Sequence, residues 1–139
     1  MVKGIIHSDD AIRATNIGTN GLIISNHGGR QLDRAPSPLE VFPEIRAAVG
    51  DRTTLMIMIE SGVRRGSDIV VALCLGAKFT FFGRPSAYGA AAAGRAGVDK
   101  VIEILRTEID AVMAQIGSPN IGSLGPQFLA RSDDRTTAT

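Results

Sequence analysis

Short apolar runs alternate with helical patterns four times along this chain, and that alternation limits its fold more than any other feature. Val2–Ile6, Gly21–Ser25, Thr54–Ile59 and Phe79–Phe82 have the length and apolarity of buried parallel strands. Helix signals fill the gaps. Ser8 before Asp9 and Asp10 predicts a helix start, with both acids at the positive end of the helix dipole. Ser37-Pro38-Leu39-Glu40 is a capping box with proline at the first helical position, opening a helix that runs to about Val49. Ser67-Asp68 opens a third helix, which Gly76 ends. Val98, Val101, Ile102, Leu105, Ile109, Val112, Met113 and Ile116 draw one apolar stripe before Gly117-Ser118-Pro119 stops the last helix.

Strands that each lead into a helix make βα units, so the fold class is α/β with about four such units. A complete eight-stranded βα barrel takes ~250 residues. At 139 residues the chain has room for half of one. Residues 1–131 are expected to form one unit and residues 132–139 a disordered tail. The unit is then a small open sheet or half of a barrel. Four curved strands would leave two open edges and an apolar face, so a homo-oligomer is expected. The alternative is that the last helix folds over that face.

Composition excludes several classes of function. Hydrophobic residues at 44% and charged residues at 21% are ordinary globular values. The aliphatic stretches Leu55–Ile59 and Ile69–Leu75 fall far short of the ~20 residues of a membrane span. A lone cysteine, Cys74, and the lack of a secretory signal point to a reducing, cytoplasmic setting. A formal charge of +1 gives no case for nucleic acid. No metal site is expected. The cations are nevertheless lopsided, twelve Arg against three Lys, and Arg is favoured where carboxylate or phosphate is gripped by paired hydrogen bonds. A small anionic ligand follows from that bias.

The chemistry-bearing residues cluster at the C-terminal ends of the expected strands. Ser25-Asn26-His27-Gly28-Gly29-Arg30-Gln31 follows the second, Glu60-Ser61-Gly62-Val63-Arg64-Arg65-Gly66 the third, and Gly83-Arg84-Pro85 the fourth. Active sites of βα barrels lie at that end, often with a phosphate site in the loops after the last two strands. Glycines let backbone N–H groups approach a phosphate, and arginine adds forked donors. One such loop alone is more often a solvated turn; two on adjacent strands favour a phosphate site. His27 could move a proton while Arg30 holds a carboxylate beside it. Lys3 in a strand reads as an edge or surface residue, His7 and Tyr88 as structural, and Cys74 as core.

The stretch Ser25–Gln31, continuing into Leu32-Asp33, resembles the active-site signature of the FMN-dependent α-hydroxy-acid dehydrogenases and oxidases, which include glycolate oxidase, L-lactate dehydrogenase and mandelate dehydrogenase. Ser61–Gly66, Ser67-Asp68-Ile69, Ala72-Leu73, Leu75-Gly76-Ala77 and Gly83-Arg84-Pro85 resemble that family's FMN-phosphate region. Gly97-Val98-Asp99, Gln115-Ile116-Gly117 and Ser123-Leu124 are similar to the bacterial mandelate and lactate dehydrogenases. The likeness runs from residue 1 to about 130.

The resemblance implies FMN as cofactor and a small L-2-hydroxy acid, of lactate or mandelate type, oxidised to the 2-oxo acid. It implies that His27 takes a proton from the substrate and Arg30 pairs with its carboxylate. It further implies that Lys3 lies beside the flavin N1/C2 carbonyl, that Ser25 contacts the flavin, and that Arg64, Gly83 and Arg84 hold the phosphate. Glu60, Ser61 and Gly62 fall in the same cofactor-binding loop, with Glu60 where the family usually has Asp; its extra methylene displaces the carboxylate expected to meet the ribityl hydroxyls. By the same resemblance the chain begins inside the fifth strand of a barrel and forms its C-terminal half. Other readings stand beside this one: a half-barrel that binds FMN or another phosphate without turnover, a unit that only folds or assembles, or another phosphate-binding barrel enzyme.

Overall fold

The computed structural model describes residues 1–50 and 55–130. Four strands, β1 (Val2–Ile5), β2 (Gly21–Ile24), β3 (Met56–Glu60) and β4 (Phe79–Phe81), form one sheet in the order β1-β2-β3-β4. Every pairing is parallel. Helices α1 (Ser8–Asn16), α2 (Pro38–Val49), α3 (Gly66–Cys74) and α4 (Arg84–Gln115) follow the strands in turn. The expected α/β class and the βα repetition are both present. Thr54 and the tail 132–139 lie outside the described residues.

Strand alternation divides the sheet into two unlike faces. Leu22 and Ile24 of β2, with Ile57 and Ile59 of β3, pack against Ala11 and Ala14 of α1, Phe42, Ile45 and Val49 of α2, and Ala72 of α3. That is the main core. Ile23 and Met58 fall on the opposite face and are buried, but Met56 beside them is 47% exposed and Phe79 54%. The last helix does not cover this face. Its Ile109, Val112, Met113 and Ile116 pack with Val70 and Cys74 of α3, on the outer side. Cys74 is a core residue there, and burial raises its thiol pKa despite a hydrogen bond to the Gly125 backbone.

The helix starts show where local signals were overruled. Ser37 caps α2 as expected, its hydroxyl accepting from the Glu40 N–H. For α1 the cap is His7, whose Nδ1 accepts from the Asp9 N–H at 3.2 Å. Ser8 donates instead to Glu44 of α2 at 2.7 Å, tying the two helices together. The α3 cap is Arg65, with Asp68 accepting from the N–H groups of Arg64 and Arg65 at 2.8 and 2.9 Å. Glu108 of α4 reaches the same end, bonding the Gly66 N–H and the Arg65 guanidinium, both at 2.7 Å. Helix α4 breaks at Ala93 and Gly94, and its two arms meet at Gly89 and Gly97, where a Cβ on Gly89 would lie 2.6 Å from the Gly97 carbonyl.

Candidate active site

Sheet register assembles the site. Lys3 pairs with Ile23, Ile23 with Met58, and Met58 with Phe79, forming one row on the face away from the helices. One step further along, Ser25 follows β2, Glu60 ends β3 and Phe81 ends β4. A register shift between Lys3 and Ile5, with Gly4 at φ 93°, lets β1 keep Lys3 on this face and Ile5 in the core. The polar groups expected at the strand ends are therefore neighbours in space.

Lys3, His27, Arg30, Glu60, Ser61, Gly62, Arg64, Gly83 and Arg84 line one open cleft of about 350 Å³. Ser25 is buried and lies in an adjoining cleft of about 430 Å³, which shares Lys3 and His27 with the first. All ten sequence-proposed residues are thus gathered at one end of the sheet. Arg30, Arg64 and Arg84 are exposed to the cleft, so it is cationic. Gly62 and Gly83 have no atom within 4 Å of the place a Cβ would occupy, which leaves room for an anion against their backbone. The start of α3 is filled by Glu108 and Asp68, whereas α4 begins on the cleft at Gly83 with no side-chain cap. A phosphate group fits this set of donors.

The turn His27–Gly29 enters the cleft from β2 with its backbone held in left-handed conformations, His27 at φ 56° and Gly28 at φ 70°. Ser25 Oγ accepts from the His27 N–H at 3.0 Å, and Ser61 Oγ from the Gly28 N–H at 2.9 Å. Asn26 accepts from the same Gly28 N–H at 3.0 Å. Arg84 Nη2 donates to the Gly28 carbonyl at 3.2 Å. The imidazole itself is exposed, and among the described residues no side chain is hydrogen-bonded to it.

Glu60 sits between these groups. Its carboxylate accepts from Ser25 Oγ and, at 2.8 Å, from Ser61 Oγ, and it faces Lys3 Nζ at 3.5 Å. Burial alone would raise its pKa; the two hydroxyls and the Lys3 charge outweigh burial and hold it below the ordinary value of 4.5. A carboxylate with a depressed folded-state pKa adds stability above its unfolded value and loses it as pH falls through the folded one. Acid should therefore destabilise the native chain more steeply below pH 4.5 than it destabilises Glu60→Gln. Urea midpoints compared between about pH 6 and about pH 3 check this; equal slopes would show that Glu60 is not ionised and paired in the fold.

Known proteins resemble this chain over nearly its whole length. Residues 1–131 match the family model of FMN-dependent dehydrogenases. This chain belongs to the FMN-dependent dehydrogenase family. (S)-Mandelate dehydrogenase of Pseudomonas putida is 48% identical over 138 residues, 99% of this chain and 34% of that protein. L-Lactate dehydrogenase (cytochrome) of Saccharomyces cerevisiae is 44% identical over 132 residues, 93% of this chain and 22% of that one. A solved soluble mutant of the membrane-associated P. putida mandelate dehydrogenase superposes with a TM-score of 0.85 at 50% identity, covering 93% of this chain and 36% of that chain. A flavocytochrome b2 mutant with pyruvate bound gives 0.86 at 41% identity, covering 99% and 35%. The chain thus spans about a third of the length of most curated relatives it matches. Among the described residues no helix is long and apolar enough to cross a membrane.

Sequence reasoning gave no individual site role to three residues at or beside this cleft. Asp68, read as a helix-start residue and as part of the stretch that resembles the FMN-phosphate region, braces the loop that carries Arg64 by accepting from that residue's own N–H. Phe81 and Phe82 line the cleft beside Gly83; their place at the end of a strand was the one available signal.

Proposed function

We propose that this chain forms the phosphate-holding and proton-accepting part of an FMN-dependent site that oxidises a small L-2-hydroxy acid, of lactate or mandelate type, to the 2-oxo acid. The observation that carries this reading is the convergence of Lys3, His27, Arg30, Arg64 and Arg84 on one cleft at the C-terminal end of a parallel sheet. The matched relatives named as mandelate and lactate dehydrogenases, and the pyruvate held by one solved relative, support the substrate class. FMN, when bound, supplies the electron acceptor for the oxidation.

Each residue then has a distinct task. Arg64 and Arg84, with the Gly83 backbone, hold the phosphate. Lys3 would set a cation beside bound FMN and stabilise negative charge on it. Ser25, Glu60, Ser61 and Gly62 contribute the polar wall between those two ends. Arg30 pairs with the substrate carboxylate, and His27 accepts the substrate proton. The exposed His27 ring, with no bonded partner among the described residues, favours a second reading in which FMN is bound without turnover. Fluorescence titration of the purified chain with FMN tests what both readings share. Saturable quenching supports them, and its absence at micromolar FMN overturns both.

The fold belongs with four consecutive units of a (β/α)8 barrel, the C-terminal half, in this proposal. Order β1-β2-β3-β4, an all-parallel sheet and helices on one side support it. Among the described residues the outer edges of β1 and β4 carry no further strand, which with the exposed Met56 and Phe79 favours association with a second copy. A cytoplasmic location goes with this reading. Sedimentation equilibrium at micromolar concentration is expected to give a dimer or larger species. A stable monomer that binds no hydrophobic dye would defeat the assembly.

A further inference from the structure

One carboxylate oxygen joins three strand ends. Glu60 Oε2, at the end of β3, accepts from Ser25 Oγ after β2 and from Ser61 Oγ of its own loop, and it faces Lys3 Nζ of β1 at 3.5 Å. Both serines pass the link onward, Ser25 to the His27 N–H and Ser61 to the Gly28 N–H. Those two amides belong to residues at positive φ, a conformation that for histidine is uncommon and persists only where its surroundings impose it. A hydroxyl has one proton to give. An ionised carboxylate can only accept, so it takes the proton of each serine and turns both oxygens' lone pairs toward the amides. Without that acceptor the two hydroxyls, 3.3 Å apart, can donate to each other and draw a lone pair away from the amides.

We propose that Glu60 is the positioning residue of the His27 turn: through Ser25 and Ser61 it fixes the backbone from which the imidazole projects, and it holds Lys3 in the same network. The functional weight of this role rests on the reading of His27 as proton acceptor; the structural role does not. Lys3, His27, Arg30, Arg64 and Arg84 also face the cleft, and none is altered in the variants that test the idea.

The test is amide hydrogen exchange by NMR on the full chain, with an FMN titration run beside it. Glu60→Gln keeps the shape but places an NH2 donor among the hydroxyls. It is expected to lower protection of the His27 and Gly28 amides by at least about tenfold while leaving α1 and α2 amides unchanged. Ser61→Ala should affect Gly28 more than His27, and Ser25→Ala the reverse. Unchanged His27 and Gly28 amides in Glu60→Gln would overturn the proposal, as would a loss of protection spread evenly over the sheet. Should Glu60→Gln not fold, the opposite responses of the two serine variants decide, and identical responses overturn it. A chain that shows the amide pattern but binds no FMN keeps this role for Glu60 and loses the functional reading.

Discussion

Where the proposed site turns over a 2-hydroxy acid, the rate should fall by at least ~10²-fold when His27 is replaced by alanine, the lower end for loss of a positioned acid/base group. FMN affinity should not change. The reason is in the way the turn is held. Its links to the rest of the cleft run through backbone atoms, the N–H groups of His27 and Gly28 and the carbonyl of Gly28, and none uses the imidazole. Removing the ring therefore leaves the turn in place and takes away only the group that could receive a proton. Steady-state rates at saturating substrate, measured with FMN content on the same samples, check both halves. Unaltered turnover would remove His27 from the mechanism.

The second large effect separates two arginines that share one cleft. Arg84→Ala should weaken FMN binding by roughly 10- to 100-fold, the size expected for losing a charge-assisted hydrogen bond of about 1.5–3 kcal/mol. Arg84 stands at the start of α4, beside the open backbone at Gly83. Arg30→Ala should leave FMN affinity as it is and weaken a carboxylate substrate or product analogue, because Arg30 lies on the His27 side, beyond the turn. Equilibrium titrations with FMN and with a 2-oxo acid decide between these roles. Equal loss of FMN in the two variants would show that the division of labour is wrong.

Much of the fold was legible because its causes are local. Gly21–Ile24 is buried throughout, and its shortness and flanking turn residues mark it as a covered parallel strand rather than a buried helix. Ser37 could be read as a cap because its partner, the Glu40 N–H, is three residues away. The α1 start at Ser8 was legible but its cap was not: the His7 imidazole takes the Asp9 N–H, while Ser8 finds Glu44, 36 residues distant, and no local rule contains that contact. The site divides in the same way. Its glycines and arginines stand out as strand-end loops, and each proposed residue does reach one end of the sheet. Glu60 meeting Lys3 was not legible, since it depends on the register of three strands and on the irregularity between Lys3 and Ile5. Nor was Glu108 at the start of α3, 42 residues from the amide it caps.

The most direct test is the visible absorbance spectrum of the purified chain after equilibration with FMN and removal of the excess, recorded without oxygen before and after adding L-lactate or (S)-mandelate. The expected result is retained flavin bands that bleach on addition of one of these acids. Bands that persist would contradict oxidation and leave FMN binding alone, and a chain that retains no flavin at all would contradict the assignment of the cleft.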